Sequence, residues 1–367
     1  MSSVPLYKKI YEQLRTDIVS NRFPEKRLPS EQQLAAQYQV SIITVKHALS
    51  MLSEERIIKR TPGVGTFITV PPFPQEEAVS APFNIGLVAA HCSDAFGTLL
   101  IQTVSEEARR HGCGLLLGIG YTSQQEESDT INHLIQSGAR GIIIISMHAQ
   151  SYNVELLRHA IDSFPLVLAD RDLEGLNVPF VGSDHDQAAY DATSYLLSLG
   201  HRRIAFLSVL ATNDPLNTRK GGYIRAFAEH GFSLDASLIM SGLHSSMPEF
   251  KKEGTAQDIQ KIIVFLRQHP DVSAIVAANS HVAVLAEEAL RLMDKEIPRD
   301  MSIVCFDAFD SRIKKSHFTH IRQNERKIAQ LAFEQLYRSI QGKPTQRRSL
   351  VETELVIGRS TALYSGR

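Results

Sequence analysis

The 367 residues, 43% of them hydrophobic, suffice for more than one core, while no apolar run approaches the ~18 residues of a membrane span and Met1 to Lys9 lack the apolar stretch of an export signal; a soluble, cytoplasmic protein is expected. Cys92, Cys113 and Cys305 are too few and too scattered for a disulfide framework or a zinc site. The net charge of −1 hides an asymmetry: residues 1–70 carry ten Lys or Arg against six Asp or Glu and the remainder 29 against 34, a balance that suits a protein of which only the head meets phosphate.

In chain order, Leu6, Ile10, Leu14 and Ile18 recur at four-residue spacing and predict an amphipathic helix from Leu6 to Val19. A Pro-bracketed loop, Phe23 to Pro29, leads to Ser30, which with Gln33 forms a capping box for a second helix over Glu31 to Tyr38, with Leu34 and Ala35 inward. After the turn Gln39-Val40, Ser41 caps a third helix from Ile42 to about Ser53, whose Val45, Leu49 and Leu52 repeat at helical spacing. Two short helices joined by a tight turn make a helix-turn-helix unit. Ile57 to Arg60 and Thr66 to Val70 then read as a hairpin, the wing, around Thr61 to Gly65. The Pro-rich, charged stretch that follows has no period, so residues 71–83 are assigned as a linker between a domain at 1–70 and one at 84–367.

Beyond it, apolar runs alternate with helical stretches: Ile85 to Ala90, Leu115 to Ile119, Gly141 to Ile145, Leu166 to Ala169, Ile204 to Val209, Ile275 to Ala278 and Ile303 to Phe306. None alternates in polarity, the mark of parallel strands buried on both faces. The pattern restarts after Gly200-His201-Arg202-Arg203, which predicts a two-lobed α/β domain. In such sheets ligands sit beyond the carboxyl ends of the strands, which selects Ser93, Asp94 and Phe96, then Ser146, Asp170 and Arg171, then Asn279 and Ser280, and finally Asp307. Carboxylates, amides and guanidinium groups can clamp vicinal hydroxyls and Phe96 can stack on a sugar face, so a small sugar or sugar derivative leads as ligand class. An Asp or Asn at a strand end equally serves as a helix cap.

The segments Leu28 to Ala35, Val40 to Leu49 and Gly63 to Phe67 match in order and spacing, over about 65 residues, the pattern of the GntR-type winged helix regulators, which this head resembles. The resemblance implies double-stranded DNA as partner, contacted by Ser41, Ile42, Thr44, Lys46 and His47 on the third helix, Arg27 before the second, and Lys59, Arg60 and Gly63 around the wing. Family members usually carry Arg at the position of Ile42 and often at those of Gln32 and Lys46. Lys46 keeps the charge without the bidentate fork, and Ile42 offers apolar contact alone, to a thymine methyl or to its own helix.

The body resembles the effector domain of LacI-type repressors, itself similar to periplasmic sugar-binding proteins, forming a type I two-lobed fold. Pro165 to Arg171, Leu199 to Phe206, Arg219 to Tyr223, Ala277 to Asn279 and Ile297 to Asp307 carry the likeness. It adds Arg219 and Gln323 to the pocket candidates. The sequence departs from the pattern at Asn279-Ser280, where Asn-Asp is common, and at Asp184-His185, where Asp-Asn is. The fusion is similar to arabinose-repressor-type regulators, although the pocket motifs are too general to assign a sugar.

An α/β enzyme is disfavoured because no dinucleotide, P-loop, nucleophile-elbow or zinc-protease motif is present, so no catalytic residue, cofactor or metal is expected and His317 and His320 read as an ordinary surface pair. A transport-type solute receptor would carry no wing, and a helix-turn-helix used for protein contact would show no salt-sensitive DNA binding. The expectation is a ligand-responsive repressor: a homodimer on an inverted repeat, released by its effector, with an activator or a non-sugar effector as the alternative.

Overall fold

The computed structural model describes residues 6–19, 23, 27–54, 57–61, 65–68, 83–90, 96–121, 123–146, 154–173, 176–209, 214–244, 252–307 and 317–366. The chain divides into two compact units, Met1–Ser80 and Ala81–Arg367.

The first unit holds α1 (Leu6–Val19), β1 (Arg27–Leu28), α2 (Glu31–Gln37), α3 (Ile42–Glu54), β2 (Ile58–Thr61) and β3 (Gly65–Ile68). Leu14, Leu34, Val45, Leu49 and Leu52 close its core together with Ile57 and Ile58. Of the α1 stripe, Ile10, Leu14 and Ile18 are buried and Leu6 is exposed. The capping box is present: the Gln33 N–H donates to Ser30 Oγ (3.3 Å) and the Ser30 N–H to Gln33 Oε1 (2.9 Å). Gln39 takes a left-handed φ of 52°, and the Val40 N–H reaches back to the Ala35 carbonyl (3.0 Å), fixing the tight turn before α3. The expected hairpin gains a third strand, because Arg27 and Leu28, read as loop, pair antiparallel with Phe67 and Thr66. Two residues are too short a run for a period-2 signal.

The second unit begins with β4 (Asn84–Ala89), α4 (Thr98–Arg110), β5 (Gly114–Ile119), α5 (Gln124–Gln136), β6 (Ala139–Ile145), α6 (Val154–Ile161), β7 (Leu166–Ala169) and β8 (Phe180–Ser183). It continues with α7 (His185–Ser198), β9 (Ile204–Val209), α8 (Asp214–Glu229), β10 (Ile239–Leu243), α9 (Lys252–Gln268), β11 (Ala274–Ala277), α10 (Ser280–Leu292) and β12 (Ser302–Phe306). The last elements are β13 (Thr319–Arg322), α11 (Glu325–Ile340), β14 (Arg348–Val351) and β15 (Glu354–Val356).

Two six-stranded sheets result, ordered β14-β8-β7-β6-β4-β5 and β10-β9-β11-β12-β13-β15, and within these two sheets, among the described residues, β13–β15 is the one antiparallel pair. Both are covered by helices, as the unbroken apolar runs require. The chain passes from the first sheet to the second after β8, returns after β13 to lay α11 on the first, and passes again between β14 and β15. Phe83, assigned to the linker, is buried instead: it stacks against Tyr337 (6.2 Å) and lies under the Arg140 guanidinium (4.9 Å). No helix of the described residues is long and apolar enough to cross a membrane.

Candidate functional site

The two lobes repeat one local design at their strand ends. Past β7 stands Asp170, with φ of 67° and its N–H bonded to the Val181 carbonyl of β8 (2.9 Å); past β12 stands Asp307, with φ of 59° and its N–H bonded to the Ile321 carbonyl of β13 (2.9 Å). A left-handed backbone at a non-glycine residue costs roughly 1–3 kcal/mol and persists where the surroundings impose it. Two residues beyond each acceptor come Ser183 and Gln323, and these meet: Ser183 Oγ donates to Gln323 Oε1 (2.7 Å). The Gln323 amide nitrogen in turn donates to both Asp307 oxygens (3.0 and 3.2 Å), so one buried amide joins both lobes.

Arg219, on α8, is the hub, only 5% exposed. Its Nη1 donates to the Ala278 carbonyl (2.6 Å), its Nε to His185 Nδ1 (3.3 Å), and its plane lies over the Phe306 ring (4.1 Å). Burial lowers its pKa, while Asp307 and Asp170 hold the cation in place electrostatically. Arg171 donates to the Ser146 carbonyl and lies 3.6 Å from Asp170. Burial raises the Asp170 carboxyl against the pull of Arg171 and Arg219, and pushes Asp307 up to about 6 despite Arg219 and Gln323.

His185 opens α7. Burial and the cations Arg219, Arg171 and Arg348 hold its imidazole neutral, well below the usual range. Because Nδ1 accepts from Arg219, the proton sits on Nε2, and that buried N–H has no partner among the described residues. An unmatched buried donor costs about 1–3 kcal/mol and calls for an acceptor beyond the described residues.

Asp170, Arg171, Ser146, Arg219, Asp307 and Gln323 thus come together, all from the expected set. Asn279 adjoins them through Ala278, and its Oδ1 caps α10 by accepting the Val282 N–H (2.9 Å). Phe96 packs against the first lobe's core beside Gly97, whose N–H, with that of Leu100, donates to Glu325 (2.7 and 3.2 Å), a carboxylate reaching in from α11 to the α4 N-terminus. Ser93 and Asp94 lie outside the described residues. His185, Ser183 and Glu325 were missed. They flank β8 and β13, strands too short and mixed for the apolar-run criterion, and Asp184-His185 was the signal at hand. Asp184 itself caps α7 through the Gln187 N–H (3.1 Å).

On the head, Ser41 Oγ and Thr44 Oγ1 bond each other (2.9 Å) and Ser41 Oγ accepts the Thr44 N–H (3.2 Å). Lys46 stands 3.8 Å from Glu31, which also pairs with Arg60; His47 stacks on Tyr7 (4.1 Å), and the Arg27 guanidinium lies over Phe67 (5.7 Å). Lys59 is exposed on β2, and Gly63 lies outside the described residues.

Residues 83–358 match the family described as periplasmic binding proteins and sugar binding domain of LacI family, and residues 6–68 match the bacterial regulatory proteins of the gntR family. The chain is 26% identical to the arabinose metabolism transcriptional repressor of Geobacillus stearothermophilus, over 98% of each protein. It is 25% identical to the HTH-type transcriptional repressor PurR of Pasteurella multocida over 76% of this chain and 80% of that one. The crystal structure of the transcription regulator CcpA of Lactococcus lactis superposes with a TM-score of 0.66 at 18% identity, covering 76% of this chain and 99% of that one. For the Escherichia coli repressor ascG the TM-score is 0.59 at 24% identity, with 76% and 99% covered. These two likenesses carry the fold alone. The chain therefore belongs to the family of periplasmic binding proteins and LacI sugar-binding domains, joined behind a gntR-type head, and is a transcriptional regulator of that chimeric layout rather than an enzyme.

Proposed function

We propose that this regulator is a cytoplasmic repressor that binds an inverted-repeat operator as a homodimer and is released by a small polyhydroxylated effector, a sugar or sugar derivative. Residues 1–70 read DNA, the stretch up to residue 82 links, and the body from Phe83 to residue 367 binds effector and partner subunit. The carrying observation is the buried cluster of carboxylates, guanidinium groups and an amide at the strand ends of both lobes, with a His185 N–H that has no partner among the described residues. Two carboxylates and an amide accept and donate to vicinal hydroxyls, Arg219 and Arg171 fix orientation, and His185 supplies a neutral donor. A ligand bridging Asp170 and Asp307 favours one arrangement of the lobes, and that differential affinity shifts the spacing of the heads. The repressor named for arabinose metabolism, alike along the whole length, supports a sugar.

A thermal-shift screen against monosaccharides, sugar phosphates and polyols tests this, since ligand at about 100 times its Kd stabilises by about 2.7 kcal/mol. One sugar should raise the Tm, the shift should vanish in Asp307→Asn, and the same sugar should weaken DNA binding. Equal DNA affinity with and without saturating sugar would sink the coupling.

A further inference from the structure

Resting on the reading of the head as a DNA binder, we infer that Ile42 and Ile43 read the 5-methyl groups of thymines in the major groove, so that each half-site is specified by apolar contact where its relatives' pattern has arginine. The two residues open α3, the second helix of the helix-turn-helix, whose first turn meets base edges when such a unit docks. Ile42 is 41% exposed and Ile43 79%: Ile43 shares the face of Lys46 and His47, turned from the core positions Val45, Ala48 and Leu49, and Ile42 stands in line with Leu49 at the open end of the helix, itself exposed. At 79% exposure Ile43 adds little to its own core, and with Ile42 it offers a small open apolar surface that a partner can cover.

The polar neighbours are engaged inside the head. Ser41 and Thr44 bond each other, His47 stacks on Tyr7, and Lys46 and Arg60 share Glu31. The two cations sit in exposed ion pairs that exchange readily for phosphate, which positions the helix without reading sequence. Occupancy by duplex DNA follows from charge: the pair is set in the basic part of the chain, ten Lys or Arg against six Asp or Glu over residues 1–70. Among bases, only thymine offers a methyl group in that groove.

Full-length protein, without sugar, is used to select duplexes from a randomised pool, and the selected site is remade with deoxyuridine for thymidine one position at a time, at fixed salt. Removing a methyl from contact should weaken binding about fourfold at one or two positions in each half-site. The double variant Ile42→Ala, Ile43→Ala, which places better helix formers on an exposed face, should bind both versions equally. Indifference of the unaltered protein to every uridine, or a double variant that still discriminates, overturns the inference while leaving the head a DNA binder. A double variant with unchanged DNA binding but a lower oligomeric state marks the face as a protein contact and overturns it too. Failure to select any duplex overturns the DNA-binding reading itself.

Discussion

The head and the body handle charge in opposite ways. On the head, Glu31 is shared between Lys46 and Arg60, whose side chains are 58% and 40% exposed, so each ion pair is loose and water can replace either partner. In the body, Arg219 is enclosed by an aromatic ring, a carbonyl, a histidine nitrogen and two carboxylates, so removing any member leaves another unmatched. Exchangeable charge suits phosphate contacts that form and break with salt, whereas interlocked charge answers only to a ligand that matches it atom by atom.

The largest effect is expected from Arg219→Met. The substitution keeps much of the volume but leaves the Ala278 carbonyl without this donor and the buried Asp307 carboxyl without its cation, while Asp170 retains Arg171. It should cost about 3–5 kcal/mol in denaturant unfolding of the body. A cost under about 1 kcal/mol would mean that water reaches the cluster freely and that the body's charges are no more interlocked than the head's. His185→Ala comes next. It removes the neutral donor and should lower sugar affinity about tenfold, read by titration calorimetry; unchanged affinity would place the ligand away from this N–H.

Asp307 sharpens the contrast through pH. Its folded-state pKa is raised to about 6 from an ordinary 3.8, so the folded state holds its proton more tightly than the unfolded one. Its contribution to stability is full below about pH 4 and is lost as pH rises through about 6. Asp307→Asn keeps a neutral group at all pH. It should therefore flatten that part of the stability profile and, at pH 7.5, leave the body as stable or more stable by on the order of 1 kcal/mol, while abolishing the sugar-dependent thermal shift. A destabilised Asn variant with an unchanged pH profile would show that the charged carboxylate is what the fold prefers.

How far the sequence discloses this arrangement depends on the length of each signal. The buried strands β4, β6, β7, β9, β11 and β12 are apolar runs that declare themselves, and Asp170, Arg171 and Asp307 follow from standing just past two of them, β7 and β12. β8, β13, β14 and β15 carry polar or mixed residues because they lie where the chain changes lobe, and Ser183, His185 and Glu325 were hidden with them. Their place in the site rests on contacts distant in sequence, 140 residues for Ser183 with Gln323, 228 for Glu325 with Gly97 and 34 for His185 with Arg219, which no local pattern encodes. On the head, the departure at Ile42 was legible against the family pattern, but Ile43 became notable only once α3 was seen to leave it the more exposed of the two.

The smallest effect on stability is expected on the head. Arg60→Ala removes an exposed partner of Glu31, which retains Lys46 at 3.8 Å, so the stability of the head should change by less than about 0.5 kcal/mol. Its effect belongs to DNA binding: affinity should fall uniformly across sequences, and the slope of log affinity against log salt should drop by about 1, the signature of one lost phosphate contact. Glu31→Ala should do the reverse, freeing both cations and steepening the slope with little change in unfolding. If instead Arg60→Ala unfolds the head, the pair is structural, and the head would then hold its charge as the body does, in contacts that only a matching partner can replace.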